Sequence, residues 1–134
     1  MTTFLDTSVV IALLDDADAH NEWSVAEFTK CKSQGPALIS DIVYCELAYG
    51  MPSKAALDEA IATLAIERFP FGDDALYRAG LAFKKYKDEN KGPKTGVLPD
   101  FLIGAAAEVA GTPLLTANPA DFGKYFPALA LICP

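Results

Sequence analysis

The sequence predicts an α/β fold in which a parallel-rich sheet is covered by helices on both faces. Three observations carry that prediction. The apolar runs Thr3-Phe4-Leu5, Ala37-Leu38-Ile39 and Pro113-Leu114-Leu115-Thr116 are short and do not alternate with polar residues, as strands buried on both faces require. Between them lie stretches with apolar residues at helical spacing, punctuated by glycine and proline. Finally, 134 residues at 51% hydrophobic content are expected to form one domain over 1–134, burying roughly two-thirds of the unfolded surface.

Taken in order, Thr3 to Leu5 is a β-compatible run, and Thr7 or Ser8 can cap a helix through Val9 to Leu14. A polar stretch from Asp15 to Asn21 leads into a helix expected over Asn21 to Lys32, whose tryptophan, Trp23, is expected in the core. After Gly35-Pro36, the strand Ala37 to Ile39 is followed by Ser40 or Asp41 as cap of a helix that holds Glu46 and stops at Gly50 and Pro52. Lys54 to Glu67 places Leu57, Ile61, Leu64 and Ala65 on one helical stripe. Phe69-Pro70-Phe71 reads as a short extended segment, and Asp73 or Asp74 starts a helix through Leu76, Ala79, Leu81, Ala82 and Phe83. A mobile loop is expected at Asn90 to Gly96. Pro99 suits the first turn of a helix to Ala110, and Gly111 suits its stop. A strand over Pro113 to Thr116, a helical turn over Ala120 to Tyr125 and a strand over Leu129 to Cys133 complete the pattern.

The bulk chemistry excludes several classes. No apolar run approaches the ~18 residues that span a bilayer, and Met1 leads into Thr2-Thr3-Phe4 without a basic leader, so a soluble cytoplasmic protein is expected. Cys31, Cys45 and Cys133 are odd in number and form no CxxC pair, which argues against a disulfide framework or a zinc site; Cys45 is expected as a packed thiol. A net charge of −7 argues against a broad electrostatic grip on nucleic acid. It leaves room for a metal-using nuclease, because bound cations reverse the potential that acids create. The bases concentrate in Lys84-Lys85-Tyr86-Lys87 and from Lys91 to Lys94, either a solvated helix end or a phosphate contact.

Four acids stand where apolar runs meet helices or turns: Asp6 after the first run, Glu46 inside a helix next to Ile42 and Val43, Asp100 before Phe101 to Ala107, and Asp121 past Pro113 to Asn118. Parallel sheets place ligands beyond the carboxyl ends of their strands, where all four could meet. Each has an ordinary alternative: Asp6 as a helix cap, Asp100 and Asp121 as first-turn acids favoured by the helix dipole. Glu46 is harder to dismiss, since a charge on an apolar helix face needs a partner. If the acids converge, their repulsion calls for a hard cation, and oxygen-only ligands suit Mg²⁺ or Mn²⁺. Such ions activate water and neutralise charge on a phosphodiester. No GxGxxG, GxxxxGK[ST], HExxH or GxSxG is present, and His20, the single histidine, sits in polar surroundings.

The segments Phe4 to Val10, Ser40 to Gly50 with Glu46, Pro99-Asp100 to Gly111, and Leu114 to Phe122 together resemble PIN-domain ribonucleases, in particular VapC-type toxins of toxin-antitoxin pairs. The resemblance spans nearly the whole chain. It implies a three-layer α/β/α sandwich with a central parallel sheet, a Mg²⁺- or Mn²⁺-dependent endoribonuclease that leaves 5′-phosphate and 3′-hydroxyl ends on tRNA or rRNA, a cognate VapB-like antitoxin that blocks the site, and a homodimer. Asp6 and Asp100 match the family's principal metal-binding acids, Glu46 the helix-borne acid, and Thr7, Ser8 and Thr116 hydroxyl positions nearby. The fourth corner falls on Asn118 or Asp121; a neutral amide there would weaken a second metal site. Two rivals are a non-catalytic PIN-like interaction module and a haloacid-dehalogenase-type phosphatase, which wants a second acid where Ser8 stands.

Overall fold

The structure, a computed structural model, describes residues 1–89 and 98–134, and of Asp121 the backbone alone. The loop expected at Asn90 to Gly96 and the bases from Lys91 to Lys94 lie outside the described residues. The elements run β1 (Thr3–Leu5), α1 (Thr7–Leu14), α2 (Asn21–Gln34), β2 (Ala37–Ser40), α3 (Asp41–Ala48), α4 (Lys54–Thr63), β3 (Glu67–Phe69), α5 (Asp73–Glu89), α6 (Leu98–Ala110), β4 (Leu114–Leu115), α7 (Ala120–Tyr125) and β5 (Leu131–Ile132).

The five strands of the described residues are all parallel, in the order β3-β2-β1-β4-β5. This is the expected α/β/α architecture. Right-handed crossovers put α1 to α4 on one face and α5 to α7 on the other. The packing agrees: α1 touches α2 and α3, α3 touches α4, and α5, α6 and α7 pack on one another. Phe4, Leu5, Ile39, Leu114 and Leu115 are at most 1% exposed, so the strands read as continuous apolar runs because both faces are covered. The strand order reverses between β1 and β4, where Phe4 pairs with Leu114 and Leu5 with Leu115. The next residues, Asp6 and Thr116, therefore leave the sheet side by side at the switch point.

Several expected boundaries move. Helix α4 stops at Thr63 instead of Glu67, because Ala65 adopts a left-handed φ of 52°. The amide of Ile66 then donates to the Ile61 carbonyl and that of Ala65 to Ala62, a Schellman stop completed by burial of both isoleucines. Strand β3 lies upstream of the expected Phe69-Pro70-Phe71, since Pro70 has no N–H for a ladder while Glu67 to Phe69 register against Leu38 to Ser40. Helix α5 runs on to Glu89 and buries Ala75, Ala79, Ala82 and Tyr86, leaving Leu76 and Leu81 exposed. Its alanines sit at helical spacing against α6.

Helix α6 starts and stops as expected, with Gly111 at φ 68° and a Schellman pair from Gly111 and Thr112 to Glu108 and Ala107. Gly104 lets it approach α7 closely: a Cβ there would fall 2.8 Å from the Phe126 ring. Trp23 is half-buried and packs on the rim of the core. Cys45 is exposed, contrary to expectation, because Val43 and Leu47 define the buried stripe of α3 and Cys45 falls about 160° away or more on the outer face. Cys31 is the buried thiol.

Candidate active site

The carboxyl end of β1 delivers Asp6 into the crevice beside β4. Its amide donates to the Leu115 carbonyl at 3.0 Å, and the residue is only 4% exposed. Asp6 itself is the cap of α1, with extended backbone (φ −78°, ψ 157°), in place of Thr7 or Ser8. Oδ1 accepts the Thr7 N–H at 2.7 Å, and Oδ2 accepts the hydroxyls of Ser8 at 2.9 Å and Thr116 at 2.7 Å. Burial nevertheless outweighs these donors and pushes the Asp6 carboxyl above the usual aspartate range, with Thr116, Ser8 and the Thr7 amide pulling it back down.

The two hydroxyls are directional. Ser8 Oγ accepts the Ala117 N–H at 3.3 Å, and Thr116 Oγ1 accepts the Asn118 N–H at 3.0 Å. An amide can only donate, so both hydroxyl protons are committed to Asp6 Oδ2. Thr7 extends the network to a second carboxylate, its Oγ1 donating to Glu46 Oε1 at 2.7 Å. Glu46 is half-buried on α3, between the buried Val43 and Leu47 on one side and the exposed Tyr49 on the other. Asp6, Thr7, Ser8, Glu46 and Thr116, with the amides of Ala117 and Asn118, thus form one continuous hydrogen-bonded assembly. The amides are what the sequence reading missed; the Asp-Thr-Ser triplet at a strand end was a signal for Asp6 as the cap.

Asp100 stands in the first turn of α6, half-buried, on a helix that packs against α3. Asp121 is the second residue of α7. Among the described residues, no three His, Cys, Asp or Glu side chains gather closely enough to form a metal-holding group. The donor chemistry of the Asp6–Glu46 pair still suits a hard divalent cation, which needs only one or two carboxylates when water and substrate oxygens complete its shell. Neither acid has an ion-pair partner among the described residues.

Residues 3–125 match the family model of the PIN domain. The chain belongs to the PIN-domain family. Solved structures with the same fold include VapBC2 of Rickettsia felis bound to a DNA fragment from its promoter, with a TM-score of 0.76 at 20% identity over 99% of this chain and 98% of that one. VapBC-1 of Haemophilus influenzae aligns with a TM-score of 0.73 at 20% identity, over 99% and 98% of the two chains. VapC20 of Mycobacterium tuberculosis, a sarcin-ricin loop cleaving toxin, aligns with a TM-score of 0.61 at 16% identity, over 92% and 95%. At these identities the likeness establishes the PIN fold. No curated protein sequence matches the chain significantly.

Proposed function

We propose that this PIN-domain protein is a Mg²⁺- or Mn²⁺-dependent endoribonuclease and the toxin of a toxin-antitoxin pair, inhibited by a VapB-like antitoxin. The observation that carries the reading is the Asp6–Thr7–Glu46 bridge at the switch point, two carboxylates oriented by neutral donors and without an ion pair among the described residues. Solved neighbours that align over 99% of this chain include two VapBC complexes, and VapC20, which aligns over 92% of it, is a sarcin-ricin loop cleaving toxin. A cytoplasmic homodimer acting on tRNA or rRNA belongs to the same proposal.

In this reading Asp6, Glu46 and Asp100, assisted by Asp121 or Asn118, would hold the divalent cation, which when bound polarises phosphate and lowers the pKa of attacking water. The rest falls to the protein. Ser8 and Thr116 keep Asp6 Oδ2 turned toward β4, Thr7 holds one oxygen of Glu46, and the same hydroxyls pin the Ala117-Asn118 turn against α1. That rigidity keeps the carboxylates aimed without reorganisation when substrate arrives.

Calorimetric titration with Mn²⁺ tests the proposal: binding heat is expected from the wild type, and none from Asp6→Asn or Asp100→Asn. RNA cleavage should vanish with the heat. Unchanged heats in both variants would remove the assigned site. A second reading is a non-catalytic PIN interaction module, since one fold can host functions without chemistry. That module would arrest growth on expression equally well with Asp6→Asn, whereas a nuclease toxin would not.

A further inference from the structure

We infer that the lysines at the carboxyl end of α5, Lys84, Lys85 and Lys87, form the grip that holds the RNA backbone beside the acidic site. The inference rests on the nuclease reading and adds the part that a chain of charge −7 otherwise lacks. A polyanion approaching a cluster of carboxylates needs local positive charge, supplied mainly by Lys and Arg to phosphates.

The pairing of the cations singles out this run. Lys54, Arg68, Arg78 and Lys124 are each paired with a carboxylate, and Lys32 donates to the Ala65 carbonyl at 2.8 Å. Among the described residues this leaves Lys30, Lys84, Lys85 and Lys87 without an ion pair or hydrogen bond. Three of those four stand within one turn of one helix, all exposed. Asp88 follows on the same turn and pairs with none of them. Lys87 rests its ammonium 5.7 Å from the Phe83 ring centroid, a contact easily given up.

Their position is set by the residue they bracket. Tyr86 is buried, its ring 5.7 Å from Phe101 and 5.8 Å from Tyr125, while Phe83 lies 6.3 Å from Phe101. Phe101 follows Asp100 directly, and Tyr125 ends α7, the helix that carries Asp121. The aromatic cluster therefore seats the lysine turn against the starting turn of α6. Lys84 and Lys87, three residues apart, share one face of α5, and Lys85 lies about 100° round from Lys84 on its other side, so the three fan over the exposed side of the turn. Ammonium groups spread in this way meet successive phosphates of a strand better than a single anion. The ordinary role of Lys at a helix carboxyl end, complementing its dipole, accounts for one such residue in the last turn but not for three.

The test measures binding and cleavage separately. Fluorescence anisotropy in the Asp6→Asn background, with a labelled 20-nucleotide RNA hairpin at several KCl concentrations, compares Lys84→Gln/Lys85→Gln/Lys87→Gln with Lys30→Gln. The triple variant is expected to weaken binding about tenfold and to flatten the slope of log Kd against log[KCl] by about 2, at roughly 0.7–0.9 per lost phosphate contact. Lys30→Gln should change neither. In the active protein the triple variant should raise KM and keep kcat. Unchanged RNA affinity and slope would overturn the grip, as would an equal loss from Lys30→Gln. If the triple variant loses RNA affinity while no preparation cleaves RNA, the grip stands and the nuclease reading falls. If cleavage is abolished by Asp6→Asn but indifferent to the triple substitution, the reverse holds.

Discussion

Two carboxylates of this protein are held in opposite ways. Asp58, on the exposed side of α4, has both oxygens bonded, one by Lys54 at 2.6 Å and one by the Tyr44 hydroxyl at 2.8 Å, with Arg68 stacked 4.1 Å over the Tyr44 ring. The Lys54 hydrogen bond is the main reason its carboxyl titrates below the usual range. Asp6 also has both oxygens bonded, but every donor is neutral, and burial drives its carboxyl above that range. An acid that serves architecture brings its own cation. An acid kept buried, oriented and without one has the properties of a ligand, and the half-buried Glu46, held by the Thr7 hydroxyl and without an ion pair among the described residues, resembles it.

The largest consequence concerns activity. Asp6→Asn keeps the volume and one acceptor oxygen but sets its NH2 against a donor, so it should cost about 1–3 kcal/mol of stability while RNA cleavage by the folded variant falls by about 10²–10³-fold or more. Asp58→Asn should leave cleavage unchanged. Single-turnover cleavage of a labelled RNA, with circular dichroism to verify folding, reads both. Equal losses from the two variants would erase the distinction between ligand and architectural acid. Glu46→Gln keeps an acceptor for Thr7 and should fall on the Asp6 side of the comparison.

A smaller effect separates the two hydroxyls that hold Asp6. Thr116 is fully buried, and Thr116→Val would remove one of the two hydroxyl donors on Asp6 Oδ2 and strand the Asn118 amide, costing about 1–3 kcal/mol in a denaturant titration. Ser8 is less buried, and water can replace its bonds in Ser8→Ala, so its cost should be the lower of the two. Thr116→Ser should recover most of the loss. If Thr116→Val proved no worse than Ser8→Ala, the directional network would not be what orients the carboxylate.

Much of this was legible in the sequence because it depends on residue type. Buried parallel strands look apolar throughout, so β1, β2 and β4 stood out, and Gly111 marked its stop because a left-handed residue is usually glycine. Ala65 takes the same conformation without the glycine signal, which is why α4 was read too long. The sequence pattern assigned no buried face to α5, since alanines carry little hydrophobic weight; the structure buries Ala75, Ala79 and Ala82 and leaves Leu76 and Leu81 exposed. At the site, acids and hydroxyls could be chosen by type and place, yet the hydrogen bonds joining Asp6, Thr7 and Glu46 depend on a contact across 39 residues that no local pattern encodes. The backbone amides of Ala117 and Asn118 have no residue signature at all.

The smallest expected effect is a pair of opposite pH slopes. Because the native Asp6 carboxyl titrates above its ordinary 3.8, the folded state binds more protons than the unfolded one in the window just above that value. Stability should therefore fall as pH rises from 3.8 through the raised native pKa, and Asp6→Asn should flatten that fall. Asp58 works in the other direction: lowered below 3.8 in the native state, it contributes stability above that pH and loses it as pH falls further. Asp58→Asn should flatten the acid limb and leave the upper window intact. Urea midpoints of the three proteins across this range, without divalent metal, measure both slopes. Adding Mn²⁺ should then reverse the Asp6 slope, since a cation that binds the ionised native carboxylate stabilises the fold increasingly as pH rises. A slope in the upper window that Mn²⁺ leaves untouched would mean that Asp6, however well placed, does not hold the metal.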